Sequence, residues 1–249
     1  MIYATGDTHR EFCRFEPQNF PEQKQMSRED YVLILGDFGA VWDGHRQDRQ
    51  KLDWLEALPY TTLFIDGNHE NFDLLQKYPV EEWHGGKVHF VRPHVIHLMR
   101  GQCFEIDGRT FCTMGGASSH DMPGGVLNPH SLDYEEMAFA LKQSGIRYRV
   151  DHRTWWRQEL PSAGEYEEAR RTMKRIGWKS DYILTHCAPS SISDLLSDGT
   201  YAHDTLTDFL ENEVRAKMHY RHWLFGHYHI DENLPGGFTV LSEQIVRLP

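Results

Sequence analysis

The stretch YVLILGD at residues 31–37 decides the fold class. Five consecutive apolar residues are typical of a strand buried on both faces, as in a parallel sheet covered by helices. Gly36 and Asp37 end this run with a turn residue and a carboxylate. Because the carboxyl ends of parallel strands open onto one crevice, the spacing places Asp37 where ligands bind.

Four further apolar runs end in the same way, each followed at once by Gly, Asp, Asn or His. They are MIYATGDTH at 1–9, TLFIDGNHE at 62–70, DYILTH at 181–186 and HWLFGHYH at 222–229. Helical spacing of apolar residues lies between the runs, at 49–58, about 131–143, 162–176 and 205–218. Ser162 and Glu165 predict a capping box for the third helix, and Gly177 predicts its end. Asp107 and Gly108 predict a tight hairpin turn between short strands at 103–106 and 110–112. The alternation predicts an α/β fold with two packed mixed β-sheets flanked by helices.

Composition narrows the class of protein. The chain has 249 residues, a formal charge of −11 and 39% hydrophobic residues. Its mean hydropathy of −0.61 and the lack of a long apolar run argue against a membrane protein. The negative charge argues against extended nucleic-acid binding, which needs a basic surface. The sequence therefore predicts one globular domain over 1–249, with a possible insertion on the rim of the active site around 115–160.

Two expectations concern the cell compartment. The first residues offer neither a basic leader nor an apolar segment of signal-peptide length, so a cytoplasmic location is expected. The four cysteines show no CxxC spacing. They are therefore expected to be reduced and structural rather than zinc ligands or members of a disulfide framework.

Seven potential metal ligands follow the five predicted strands. They are Asp7, His9, Asp37, Asn68, His186, His227 and His229. This mixed set of nitrogen and oxygen donors suits Mn, Fe, Zn, Ni or Co and is too rich in imidazole for calcium. Seven ligands exceed the needs of one tetrahedral ion, but they suit two ions that share a carboxylate.

The motifs DTH at 7–9, GD at 36–37, GNHE at 67–70, the lone His186 and GHYH at 226–229 together resemble the ordered motif series of calcineurin-like metallophosphoesterases. The resemblance implies that family's four-layer αββα fold and two divalent metal ions. It also implies that Asp37 is shared between the ions. One ion would then be held by Asp7, His9, Asp37 and His229, and the other by Asp37, Asn68, His186 and His227.

By the same resemblance, the expected reaction is hydrolysis of a phosphomonoester or phosphodiester by a metal-bridging hydroxide, as in the phosphoric ester hydrolases of class EC 3.1. His69 is the implied proton donor to the leaving oxygen. Serine/threonine phosphatases of the family carry an acidic residue and an arginine soon after the Gly-Asp motif, and residues 38–41 here have neither. A small molecule or nucleotide is therefore the expected substrate, rather than a phosphoprotein.

Several alternatives remain open. A nuclease or cyclic-nucleotide phosphodiesterase would use the same residues, and a binding scaffold could keep the fold without turnover. Taken singly, Asp7 could be a helix cap and Asn68 a turn residue. Arg10 and His120 are candidate substrate-binding residues, although Arg10 is equally explained as a surface ion pair.

Overall fold

The computed structural model describes residues 1–249 and contains two large β-sheets and a small one. The first sheet has, in spatial order, the strands β15 (Val246–Arg247), β1 (Ile2–Thr5), β2 (Tyr31–Leu35), β3 (Thr61–Ile65), β6 (Val95–Leu98), β5 (Gly86–Arg92) and β4 (Val80–Trp83). The second has β13 (Glu232–Leu234), β14 (Phe238–Val240), β12 (His222–Phe225), β11 (Tyr182–Thr185), β8 (Arg109–Met114) and β7 (Cys103–Ile106). The small sheet pairs β9 (Val126–Leu127) with β10 (Arg149–Val150).

Six α-helices accompany the sheets. They are α1 (Arg46–Glu56), α2 (Phe72–Leu75), α3 (Tyr134–Gln143), α4 (Ala163–Arg175), α5 (Ser190–Ser197) and α6 (Thr205–Phe209). Short 3-10 turns occupy Cys13–Phe15, Pro21–Gln25 and Arg157–Glu159. Every helix is too short or too polar to span a lipid bilayer.

The two large sheets stack face to face, with helices on their outer faces. Alternate side chains of β2 point to opposite sides, so Leu33 lies between the sheets and Val32 faces away from them. Leu33 shares its cluster with Leu184 of the second sheet, and Val32 shares one with Leu55 of α1. A third cluster packs the outer face of the second sheet against α4, α5 and α6. This four-layer arrangement confirms the predicted fold class.

Local expectations for helices and turns are confirmed in most places. Asp107 and Gly108 form the hairpin turn between β7 and β8, both with positive φ. The predicted helix at 205–218 differs, because α6 ends at Phe209 and the chain continues as a π-helix over Leu210–Arg215. Helix α3 has no buried residue, and Met137 and Phe139 on it are exposed.

The expectation of reduced cysteines is wrong for two of the four. Cys103 and Cys112 form a disulfide, whereas Cys13 and Cys187 are free. The pair lies directly opposite in the antiparallel register of β7 and β8, with Cα atoms 4.2 Å apart. Directly opposed residues bring their Cβ atoms close, so the hairpin itself places the two sulfur atoms together.

The capping box of α4 provides a stability prediction. Ser162 Oγ accepts the backbone N–H of Glu165, and the Glu165 carboxylate accepts the backbone N–H of Ser162. Ser162→Ala removes one of these partners, and we expect it to lower the free energy of unfolding by about 1 kcal/mol in urea titration. Ser144→Ala, at the end of α3, is the control and should change stability by less than about 0.5 kcal/mol. Equal stability of both variants would contradict the capping role.

Candidate metal centre

Loops from both large sheets meet at the carboxyl ends of their parallel strands. The backbone N–H of His9, after β1, donates to the carbonyl oxygen of Asp37, after β2, at 2.8 Å. The N–H of His227, after β12, donates to the Asp7 carboxylate at 3.0 Å. The N–H of Gly226 donates to the carbonyl oxygen of His186 at 3.0 Å. These contacts bring four of the five sequence motifs to one place, and the fifth, GNHE, joins them because the N–H of His69 donates to Asp37 Oδ1.

Asp7, His9 and His229 form one cluster of donors, whose ligand atoms all lie within 4.8 Å of one another. The Nε2 atoms of His9 and His229 are 3.2 Å apart, and His229 Nε2 is 3.1 Å from Asp7 Oδ2. The side chain of Asp7 is 1% exposed, whereas those of His9 and His229 are 39% and 63% exposed. The cluster is therefore anchored inside and open to solvent on one side, as a site for a metal and its substrate must be.

A second group of donors surrounds His186, which is fully buried. Its Nδ1 atom donates to the carbonyl oxygen of Leu35 at 2.7 Å, so Nε2 is the ring nitrogen available to bind a metal. This Nε2 lies 3.2 Å from Asn68 Oδ1 and 3.3 Å from Asp37 Oδ1. The ring of His227 is 5.1 Å from that of His186, centroid to centroid.

Asp37 lies between the two groups. Its Oδ1 atom faces His186 Nε2, and its Oδ2 atom is 3.7 Å from His9 Nε2. Each carboxylate oxygen thus faces one of the two groups of donors. A carboxylate that offers one oxygen to each side can serve as a common ligand of two ions.

The electrostatics of the buried donors fit a divalent cation. Burial disfavours charge on Asp37, but the adjacent His186 ring holds the pKa of this carboxyl well below its usual range. Burial likewise opposes charge on His186, yet the carboxylates of Asp37 and Asp7 raise its pKa. Burial lowers the pKa of His227, so its ring is neutral, the form that binds metals. A cation would take over the charge balance that a proton on His186 otherwise provides.

Four of the seven candidate ligands have a left-handed backbone. The φ angles of His9, Asp37, His227 and His229 are 44°, 47°, 70° and 53°. Such a conformation in residues other than glycine costs about 1 to 3 kcal/mol each and is concentrated at functional sites. The fold therefore tolerates a strained backbone at these positions, and this backbone directs the side chains toward the common centre.

His69 lies beside both groups. Its backbone N–H donates to Asp37 Oδ1 at 2.8 Å, and its ring is 5.3 Å from that of His9. Burial lowers the pKa of His69, although the Asp37 carboxylate acts in the opposite direction. The ring is therefore next to the donors without being held among them.

The two candidate substrate-binding residues are placed differently. The guanidinium of Arg10 donates to Asp48 at 2.8 Å, and the other oxygen of Asp48 accepts three backbone N–H groups of residues 42–44. Arg10 thus braces the loop after β2. The His120 ring stacks on Tyr201 at 4.2 Å and lies 5.7 Å from that of His227, so it forms a wall of the site.

Three supporting acidic side chains were not recognised from the sequence. Glu70 accepts the N–H groups of Phe38 and Gly39 and so fixes the loop that carries Asp37. Its position in the GNHE motif was a usable signal. Asp66 pairs with the buried Arg100, and Glu159 binds Ser119, which contacts Asn68. No local pattern marked these last two, because their partners are distant in sequence.

Two comparisons relate the chain to known proteins. A family model described as calcineurin-like phosphoesterase matches residues 1–231. The lariat debranching enzyme of Caenorhabditis briggsae is 24% identical over 255 residues, an alignment that covers 92% of this chain and 46% of the relative. The chain thus spans about half the length of that relative. These matches confirm the resemblance that the five motifs indicate.

Proposed function

Because the chain belongs to the calcineurin-like phosphoesterase family, we propose that it is a metal-dependent phosphoesterase that uses two divalent cations to hydrolyse a phosphomonoester or a phosphodiester. The observation that carries the two-metal part is the position of Asp37, which offers one carboxylate oxygen to each group of donors. Two ions would use both groups of donors, whereas a single ion would use only one of them.

The ligands divide into two overlapping sets around Asp37. We assign Asp7, His9, Asp37 and His229 to one cation, and Asp37, Asn68, His186 and His227 to the other. The ring nitrogens of the first set converge to 3.2 Å, and His186 reaches both oxygen ligands of the second within 3.3 Å. The donor types suit Mn, Fe, Zn, Ni or Co.

Two such cations, when bound, polarise phosphate oxygens and ionise a water molecule near neutral pH. The protein's own residues perform the remaining tasks. The backbone of His69 is fixed to Asp37 and its ring lies 5.3 Å from that of His9, and we assign this imidazole as the proton donor to the leaving oxygen. His120 and Tyr201 form a wall that limits how a substrate can approach. Arg10 is occupied by Asp48 and contributes to loop rigidity.

The proposal is tested by removing metals from the protein and reloading it separately with Mn, Ni, Co, Zn and Mg. Hydrolysis of p-nitrophenyl phosphate and of bis-p-nitrophenyl phosphate is then compared. Restored turnover with two bound ions per chain supports the proposal, and the ratio of the two rates separates a phosphatase from a phosphodiesterase. Two bound ions without turnover on any phosphoester would favour the scaffold alternative.

A phosphodiesterase is the second candidate. Because the chain is similar to a lariat debranching enzyme, a nucleic-acid lariat should be among the substrates tested. Cyclic nucleotides should be tested as well, since a cyclic-nucleotide phosphodiesterase is one of the open alternatives. The charge of −11 argues against a protein that grips long nucleic acids through their backbone. Residues 38–41 lack the acidic residue and the arginine of the serine/threonine phosphatases, which argues against a phosphoprotein. We therefore propose a small molecule or nucleotide as the substrate.

His69→Ala is expected to lower kcat on phenyl phosphate by about 100-fold or more, because general acid catalysis contributes at least that much. The loss should be larger for phenyl phosphate than for p-nitrophenyl phosphate, whose leaving group needs no proton. Metal content should stay at the wild-type level. His130→Ala changes an exposed histidine on the segment between β9 and α3 and is the control. Equal losses on both esters would argue that His69 acts in some other way.

A further inference from the structure

A side chain from outside the five motifs holds the amide of Asn68. Asn68 Nδ2 donates to Ser119 Oγ at 3.1 Å, and Asn68 Oδ1 faces His186 on the other side. Both side chains are buried, with Asn68 at 4% and Ser119 at 9% exposure. The serine lies on the segment between β8 and β9, 51 residues further along the chain.

The direction of this hydrogen bond matters for a metal ligand. An asparagine amide offers an oxygen on one side and an NH₂ group on the other, and only the oxygen can bind a cation. Rotation of the amide by half a turn would point the NH₂ group at His186 and the metal site. An acceptor placed opposite the NH₂ group prevents that rotation.

Glu159 makes Ser119 such an acceptor. One oxygen of its carboxyl group accepts the Ser119 hydroxyl at 2.9 Å, and the other accepts the Ser119 backbone N–H at 3.1 Å. The hydroxyl proton is thereby directed away from Asn68, which leaves a lone pair for its NH₂ group. Glu159 is itself buried, at 3% exposure.

The network closes on the loop where it begins. Arg100 donates to the backbone carbonyl of Gln158 at 2.8 Å and to the Asp66 carboxylate at 2.7 Å. Asp66 precedes Asn68 by two residues, and its carbonyl oxygen also accepts the N–H of Gly116 at 2.9 Å. The hydrogen-bonded series Asn68, Ser119, Glu159 is therefore connected at both ends to the same buried ion pair, Asp66 with Arg100.

We propose that Ser119, held by Glu159, is a positioning residue that fixes the oxygen of Asn68 toward the cation shared with Asp37 and His186. The segment that carries Ser119 and Glu159 thereby sets the affinity of one of the two metal sites and leaves the other alone. The inference rests on the proposed function, in which Asn68 is a metal ligand.

The test measures Mn²⁺ binding to the metal-stripped full chain by isothermal titration calorimetry. Groups that orient metal ligands typically contribute about 10- to 100-fold to affinity. We expect Ser119→Ala to weaken one Mn²⁺ site by that factor and to leave the other within about twofold. Ser119→Thr keeps a hydroxyl and should restore the weakened site. Ser118→Ala is the matched control, because Ser118 donates to Asp204 at 2.6 Å instead.

The outcomes separate the inference from the function on which it rests. Wild-type binding of both Mn²⁺ ions by Ser119→Ala would overturn the inference and leave the two-metal phosphoesterase intact. Equal weakening of both sites, or no rescue by threonine, would show a general structural role and also overturn it. Fewer than two Mn²⁺ ions on the wild-type chain would contradict the proposed function, and the inference would fall with it.

Discussion

Asp37→Asn is expected to abolish metal-dependent hydrolysis while leaving the protein folded. The change removes one negative charge from the centre of the donor set and replaces one ligand oxygen with an NH₂ group. Turnover should fall by more than about 100-fold, since even groups that only orient a ligand typically contribute about 10- to 100-fold. The asparagine oxygen can still accept the N–H of His69, so the local fold should persist.

The measurement is the steady-state rate on p-nitrophenyl phosphate at saturating Mn²⁺, with metal content determined in parallel. Asp43→Asn is the matched control, because Asp43 is an exposed aspartate on the loop that follows the same strand. It should keep the wild-type rate. A rate for Asp37→Asn near that of the wild type would rule out Asp37 as the shared ligand.

Gly67→Ala is expected to damage both the metal centre and the stability of the fold. A Cβ atom at this position would lie 2.1 Å from Asp37 Oδ1, 2.4 Å from the Asp37 backbone nitrogen and 2.8 Å from His186 Nε2. These atoms are fixed by backbone and by buried contacts, so the loop itself must move. Overpacking of this kind costs about 1 to 3 kcal/mol, and a shift of the loop would separate Asn68 from its partners.

The effect is measured by urea unfolding and by Mn²⁺ titration of the same samples. Gly164→Ala provides the comparison, because its added Cβ would meet only the Ser162 hydroxyl oxygen, at 3.9 Å. Gly164 lies in α4, where alanine favours the helix. Normal stability together with normal Mn²⁺ binding in Gly67→Ala would mean that the loops are looser than their contacts indicate.

Much of the fold could be predicted because its signals are local. The apolar run of β2 predicts a strand buried on both faces, and Leu33 and Val32 are indeed buried in different clusters. The capping box at Ser162 involves two residues that are three positions apart. The hairpin turn at Asp107 involves two residues that are adjacent. The π-helix after α6 was not predicted, since the apolar spacing of residues 205–218 fits an ordinary helix equally well.

The candidate site could be predicted to the level of which residues gather, and no further. The position of a polar residue directly after a buried strand is enough to indicate this, as for Asp37. Which atom faces which partner depends on contacts between distant segments, such as Leu35 with His186 or Asn68 with Ser119. The pairing of Arg10 with Asp48 likewise depends on residues distant in sequence, so the sequence alone left open whether Arg10 binds the substrate or forms an ion pair.

The exposed helix α3 also bears on how the chain could be divided. A break within it would cut no buried residue of that helix. The first fragment would carry Asp7, His9, Asp37 and Asn68, and the second His186, His227 and His229. Because β8 of the first fragment pairs with β11 of the second along four residues, reassociation would restore the second sheet. Under the proposed assignment neither piece holds a complete ligand set, so α3 marks a point at which to divide the chain into two pieces expected to be active only when rejoined.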